Sequence, residues 1–203
     1  MDGISVTMAL VDFIPVVLFF WAAVILQREL YPRLVKGAYS IMAGGSIMVL
    51  IGGCFKALWK LLYALNVCDY VLLDHSFFPL QGPGFLLFFL GLTGIFWKGR
   101  ETKVFAAPAV VTTTLPFIFM QIVGLGGAEI LLAVIGAQKK RSIPVLFILA
   151  FVFMLAMGYL GAKFDGSSSM HWVAQVTNIL SMGFFLLGTL QLSKAWKSEA
   201  AAV

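Results

Sequence analysis

Charge is what this chain lacks most. Of its 203 residues only 11% are Asp, Glu, Lys or Arg, while 61% are apolar. A soluble domain clothes its core in charged residues, and a chain this poor in them has no means of doing so. Histidine and cysteine are scarce as well, with two of each. Two histidines far apart in sequence make a poor zinc site, and Cys54 and Cys68 stand in neither a CxxC nor a metal-ligand spacing. On one continuous helix these cysteines would lie about 21 Å apart, too far for a disulfide. Nothing in the chain spells HExxH, GxSxG or a phosphate-binding loop. No cofactor is therefore implied, and no catalytic residue can be named from a motif. The opening Met1–Leu10 carries Asp2 instead of a basic n-region, so it is expected to stay as the start of a first span.

Apolar length is what the chain has in abundance. The stretch from Ala38 to Asn66 is apolar for a full membrane crossing and then continues as FKALWKLLYAL, with Lys56 and Lys60 one turn apart beside Trp59 and Tyr63. A helix apolar all round and longer than about 20 residues reads as a transmembrane span. The expected fold is an all-α integral membrane protein, one seven-helix transmembrane bundle over residues 1–203 in the cell membrane. The spans fall at roughly residues 5–27, 38–64, 79–97, 104–120, 122–138, 142–162 and 170–193. The fourth and fifth share one apolar run between Lys103 and Lys139, read as two short helices with a tight turn.

Basic residues set the orientation. Arg28, Arg33, Lys36, Lys98, Arg100, Lys103, Lys139, Lys140, Arg141, Lys194 and Lys197 lie on one side of these spans, 11 of the 14 lysines and arginines. The positive-inside rule assigns that side to the cytoplasm, with the N-terminus outside and the C-terminus cytoplasmic. The net charge of +5 reflects this loop bias and is no sign of nucleic-acid binding. Trp59, Tyr63, Tyr70 and Trp172 suit an outer aromatic belt.

An internal echo appears at an offset of 97, where Gln81–Gly91 (QGPGFLLFFLG) matches Asn178–Gly188 (NILSMGFFLLG). A second echo sets Asp12 with its following FIPVV against Glu129 with ILLAV. Pairing helices 1–3 with 5–7 gives a 3+1+3 arrangement of parallel halves, an architecture similar to that of SWEET transporters. The Pro-Gln motif of the PQ-loop proteins is missing, so no membership follows.

The polar side chains inside the spans are the candidate site. Counting up from Lys139 places Glu129 about 15 Å into the membrane, near mid-depth. A carboxylate there is expensive and usually faces a cavity or a partner. The preceding Gly124-Leu125-Gly126-Gly127 is expected to weaken or break the fifth span just above it. His171, Gln175 and Asn178 recur at i, i+4 and i+7 and form one stripe, which suits either a ligand or interhelical hydrogen bonds. Asp12 and Gln81 come from other spans at similar outer depths. Lys56 and Lys60 either snorkel into headgroups or hold an anion at the cavity mouth, with Asp12 a candidate ion partner of Lys56. Pro15, one turn below Asp12, is expected to kink the first span.

These residues suit a small transporter or solute-binding protein with an outward-facing polar cavity for a small anionic or zwitterionic ligand. Two other readings stay open. One is a membrane enzyme acting on a lipid or isoprenoid headgroup, with Glu129 or Asp74 as acid/base and His75 or His171 assisting. The other is a sensor or accessory subunit whose polar stripe holds a membrane partner protein. The lipid bilayer is a partner in all three.

Overall fold

Apolar runs become helices here because hydrocarbon offers the backbone no water, and a helix satisfies its peptide groups within its own segment. The computed structural model describes residues 5–96, 114–162 and 168–201. Its helices are α1 (Val6–Val11), α2 (Phe13–Leu30), α3 (Lys36–Ala64), α4 (Val71–His75), α5 (Phe77–Thr93), α6 (Thr114–Ala137), α7 (Ser142–Ala162) and α8 (Ser168–Ala201). Six stretches are long and apolar enough to cross a membrane: Val6–Leu30, Lys36–Ala64, Val71–Phe96, Thr114–Ala137, Ser142–Leu160 and Ser169–Ala201. Val17, Trp21, Ile47, Ile130, Val145 and Val176 are each half exposed or more. An apolar surface of this extent is stable against lipid and not against water, so the chain reads as a multi-pass membrane protein.

Local chemistry explains the helix ends. Pro15 has no N–H to offer the carbonyl of Val11, and the first span breaks at Asp12 between α1 and α2. At the far end of α3, Asn66 adopts a left-handed φ of 54°. The Val67 N–H then bonds the Leu62 carbonyl at 3.1 Å and the Asn66 N–H bonds that of Tyr63 at 3.0 Å, which is a Schellman stop with asparagine in the usual glycine position.

The long helices pack in the cyclic order α2–α3–α5–α6–α7–α8 and back to α2. Neighbours α2/α3, α3/α5, α6/α7 and α7/α8 run antiparallel. The other two seams are parallel. Along α5/α6, Gly82 meets Phe117, Gly124 meets Phe85 and Leu86, and Gly127 meets the Phe89 ring, so both helices climb together. Along α2/α8, Asp12 meets Gln175 and Glu29 meets Ser193. Phenylalanines fill the middle: Phe19 lies 5.5, 5.9 and 6.2 Å from the rings of Phe85, Phe88 and Phe185, and Phe147 lies 5.8 Å from Phe185. At the α3/α5 crossing a Cβ on Gly45 would strike the backbone of Gly84 and Phe88, so glycine is what permits that approach.

One expectation changes. The turn anticipated near residue 121, between spans at 104–120 and 122–138, does not form. Instead α6 runs unbroken through it from Thr114 to Ala137, 24 residues or about 36 Å, long enough for a full crossing. Residues 104–113 lie outside the described residues, so six spanning-length helices are seen where seven were expected. The Gly124–Gly127 stretch stays helical because Gly124, Gly126 and Gly127 each sit against a neighbour, on α5 or on Phe151 and Met154 of α7. Glycine costs a helix about 1 kcal/mol relative to alanine, less than opening backbone hydrogen bonds in lipid.

Candidate functional site

Polar side chains gather in three layers. The first lies at the end of the bundle holding Ser5, where the break at Asp12 turns a carboxylate toward α3 and α8. Lys60 of α3 pairs with Asp12 at 2.5 Å. Gln175 of α8 donates to the Met8 carbonyl at 2.8 Å and to Asp12 at 3.1 Å. Asp12 thus ties three helices together. Beside this triad, Lys56 pairs with Asp74 of α4 at 2.9 Å and lies 4.8 Å from the Phe77 ring centre. The Trp59 indole N–H, expected in the lipid belt, is turned inward and donates to Asp69 at 2.9 Å.

The pairing differs from the sequence expectation. Asp12 takes Lys60, and Lys56 takes Asp74. Both lysines share one face of α3, and the short helix α4 carries Asp74 onto Lys56, the more exposed of the two, which leaves the more buried Asp12 to Lys60.

The middle layer is Glu129. It is fully buried on the inward face of α6 with Leu125, Ala128 and Leu132, and neither carboxyl oxygen has a hydrogen-bond partner among the described residues. Gly127 lies on Phe89 and Gly91 on Met42, so Glu129 sits near the level of Met42. Lys56 is 14 residues further along α3 than Met42, about 20 Å away. The structure therefore does not bring Glu129 together with Lys56, Lys60 or Asp12. Asn178 is half-buried one turn below Gln175 on α8 and His171 is half-buried one turn above it, while Gln81 of α5 lies over Gly52 and Gly53 of α3.

The third layer lies at the opposite end. One Glu29 oxygen accepts from Ser193 at 2.9 Å and lies 3.3 Å from Arg28 and 3.6 Å from Lys197. Arg33 stacks over Trp196, 4.9 Å from the ring centre. Gln27 donates to Ser46 at 2.6 Å, and Ser142 to Gln191 at 2.7 Å. The α2/α8 seam is thus latched by polar groups at both ends, whereas the α5/α6 seam is closed by glycine against phenylalanine.

Comparison with family models, curated proteins and solved structures finds no match. Function has to follow from these layers.

Sequence reasoning missed much of the interior face of α8. Thr177, Ser181, Thr189 and Ser193 are buried there with Gln175. Thr177 bonds its own helix and Ser181 reaches the Ala150 carbonyl of α7 at 3.1 Å, while Thr189 has no partner among the described residues. Their spacing of four to eight residues was a legible signal. Serine and threonine are so common in membrane helices that the signal carries little weight by itself.

Proposed function

We propose that this protein is a small alternating-access transporter for an anionic or zwitterionic solute, built from two three-helix halves, α2–α3–α5 and α6–α7–α8. The observation that carries this reading is the buried carboxyl group of Glu129, without a partner among the described residues and set between two polar latches. A buried acid without partners is costly to maintain and is characteristic of a proton- or ligand-coupled position. With both latches made, the arrangement corresponds to an occluded state. The outward cavity anticipated from the sequence would then belong to a state in which Asp12, Lys60 and Gln175 have parted.

Contact registers support the halves. Gly91 of α5 packs on Met42 and Gly188 of α8 packs on Phe147. One turn or two away, Gly84 faces Gly45 and Ser181 bonds Ala150. The offset of 97 between α5 and α8 therefore carries an offset of 105 between α3 and α7, from 42 to 147 and from 45 to 150. For α2 and α6, Tyr31 against Tyr39 answers to Gly136 against Ile143, again about 105 apart. The echo of Asp12 with Glu129 spans 117 residues and falls out of register. Those two acids lie on equivalent helices at different heights.

The same reading restores a seventh crossing. Gly94, next to the end of α5, packs on Leu34 and Ala38 at the basic end, while Phe117 near the start of α6 packs on Gly82 toward the other. We infer the seventh crossing from this parity alone, since residues 97–113 lie outside the described residues. With the basic end in the cytoplasm, the N-terminus is outside and the C-terminus inside.

The test is proton and solute movement in proteoliposomes across a panel of small acids, amino acids and phosphate esters. We expect at least one class to drive proton entry, and Glu129→Gln to abolish it while retaining the wild-type unfolding transition. Coupled uptake by Glu129→Gln at the wild-type rate would sink the reading.

A further inference from the structure

At the basic end, the turn from α6 to α7 meets the last turns of α8 and leaves a groove of about 390 Å³ lined by Lys139, Lys140, Gln191, Lys194, Ala195 and Ser198. Lys139 is neutralised, its ammonium held by Glu199 at 2.6 and 2.8 Å. Lys140 and Lys194 form no ion pair among the described residues, and both are exposed. Gln191 spends its carbonyl on the Ser142 hydroxyl, which leaves the amide N–H groups on the groove. The groove thus presents donors and two uncompensated positive charges.

Its position says which anion. Along α8 the residues Leu187, Leu190, Gln191, Lys194 and Ser198 follow one helical face, so an exposed apolar strip runs straight down from the lysines. Leu187 and Leu190 are 49% and 37% exposed, and Val145 at the start of α7 is 54% exposed. Charge above and hydrocarbon surface below match a molecule with an anionic head and an acyl chain. Basic pockets between helices at this level of a membrane bind lipid phosphates. A free phosphate would gain only the upper half of these contacts.

We propose that this groove is a binding site for an anionic phospholipid, its phosphate between Lys140 and Lys194 and one acyl chain along Leu187 and Leu190. The site is separate from Glu129 and does not depend on the transport reading. The experiment adds phosphatidylglycerol, phosphatidylcholine or inorganic phosphate to the detergent-solubilised full chain and counts bound lipid by native mass spectrometry, with thermal unfolding in parallel. Phosphatidylglycerol should bind and raise the midpoint, and the other two should not. Lys140→Gln with Lys194→Gln should weaken phosphatidylglycerol roughly tenfold or more. Lys36→Gln, an exposed lysine at the same end outside the groove, should leave binding unchanged. Equal binding of both lipids, equal protection by inorganic phosphate, or undiminished binding by the double variant would each overturn the proposal.

Discussion

Asp12 and Lys60 share one ion pair, yet they differ in what each can do once the other is gone. Their side chains are 12% and 14% exposed, so the pair is largely out of water. Lysine carries its charge on a long apolar stem and can turn it toward the headgroups. Asp12 is fixed by the helix break and would be left with Gln175 alone. We expect Lys60→Met to destabilise the protein by about 3 kcal/mol and Asp12→Asn by about 1 kcal/mol, as read by unfolding in detergent. Lys56→Met breaks a wetter pair and should cost about 1 kcal/mol or less. Equal costs for the Asp12 and Lys60 variants would mean that neither charge can relax. The ingredients of this layer were legible from sequence as two lysines a turn apart and an acid at the outer start of the first span. The partners were not, because they depend on α4 folding within the loop and carrying Asp74 onto Lys56. Glu129 was legible as an acid inside an apolar span, whereas its separation from Asp12 and Lys60 rests on the register between α6, α5 and α3, which no single helix encodes.

At the scale of helices, glycine has opposite meanings in different places. The Gly124–Gly127 stretch reads from sequence as a break, since glycine is a poor helix former. In the folded bundle these positions are where α6 is pressed against α5 and α7, and the absence of a side chain is what holds the helices close. Gly158 and Gly183 have nothing within 4 Å of a built Cβ, so the same residue type there has no packing role. Gly124→Ala should therefore force α6 off the Phe85–Leu86 backbone and cost about 1–3 kcal/mol. Gly183→Ala should be neutral or stabilising by up to about 1 kcal/mol. Thermal unfolding of the two single variants makes the comparison, and a tolerated Gly124→Ala would show that the parallel seam is loose. The other helices were read correctly as apolar spans because length and hydropathy act within one segment. Packing contacts act between segments, and the glycine pattern could be interpreted only once the neighbours were in place.

For the whole molecule, the parallel seams set the parity of the fold. Because α2 and α8 climb together, Ser5 and Ala201 finish at opposite ends of the bundle. Six crossings alone would bring them to the same end, and this parity is the argument for the seventh passage proposed above. The parallel α5/α6 seam carries the same argument. Phe96, 61% exposed, ends the Val71–Phe96 span at the basic end, and Thr114, also exposed, opens α6 at the other. A cysteine-scanning experiment separates the alternatives. Cys54 and Cys68 are both exposed and have to be replaced first. With an impermeant thiol reagent on intact cells, Thr114→Cys should label from outside and Phe96→Cys only after the membrane is opened. Labelling of both from the same side would mean that 97–113 does not cross. It would also remove the positional basis for the two halves, since α5 and α6 could not then be parallel neighbours in a bilayer. The reverse pattern, Phe96→Cys outside and Thr114→Cys inside, would keep the crossing but invert the molecule. The lysine-rich end and its groove would then face outward, against the bias by which basic loops stay in the cytoplasm.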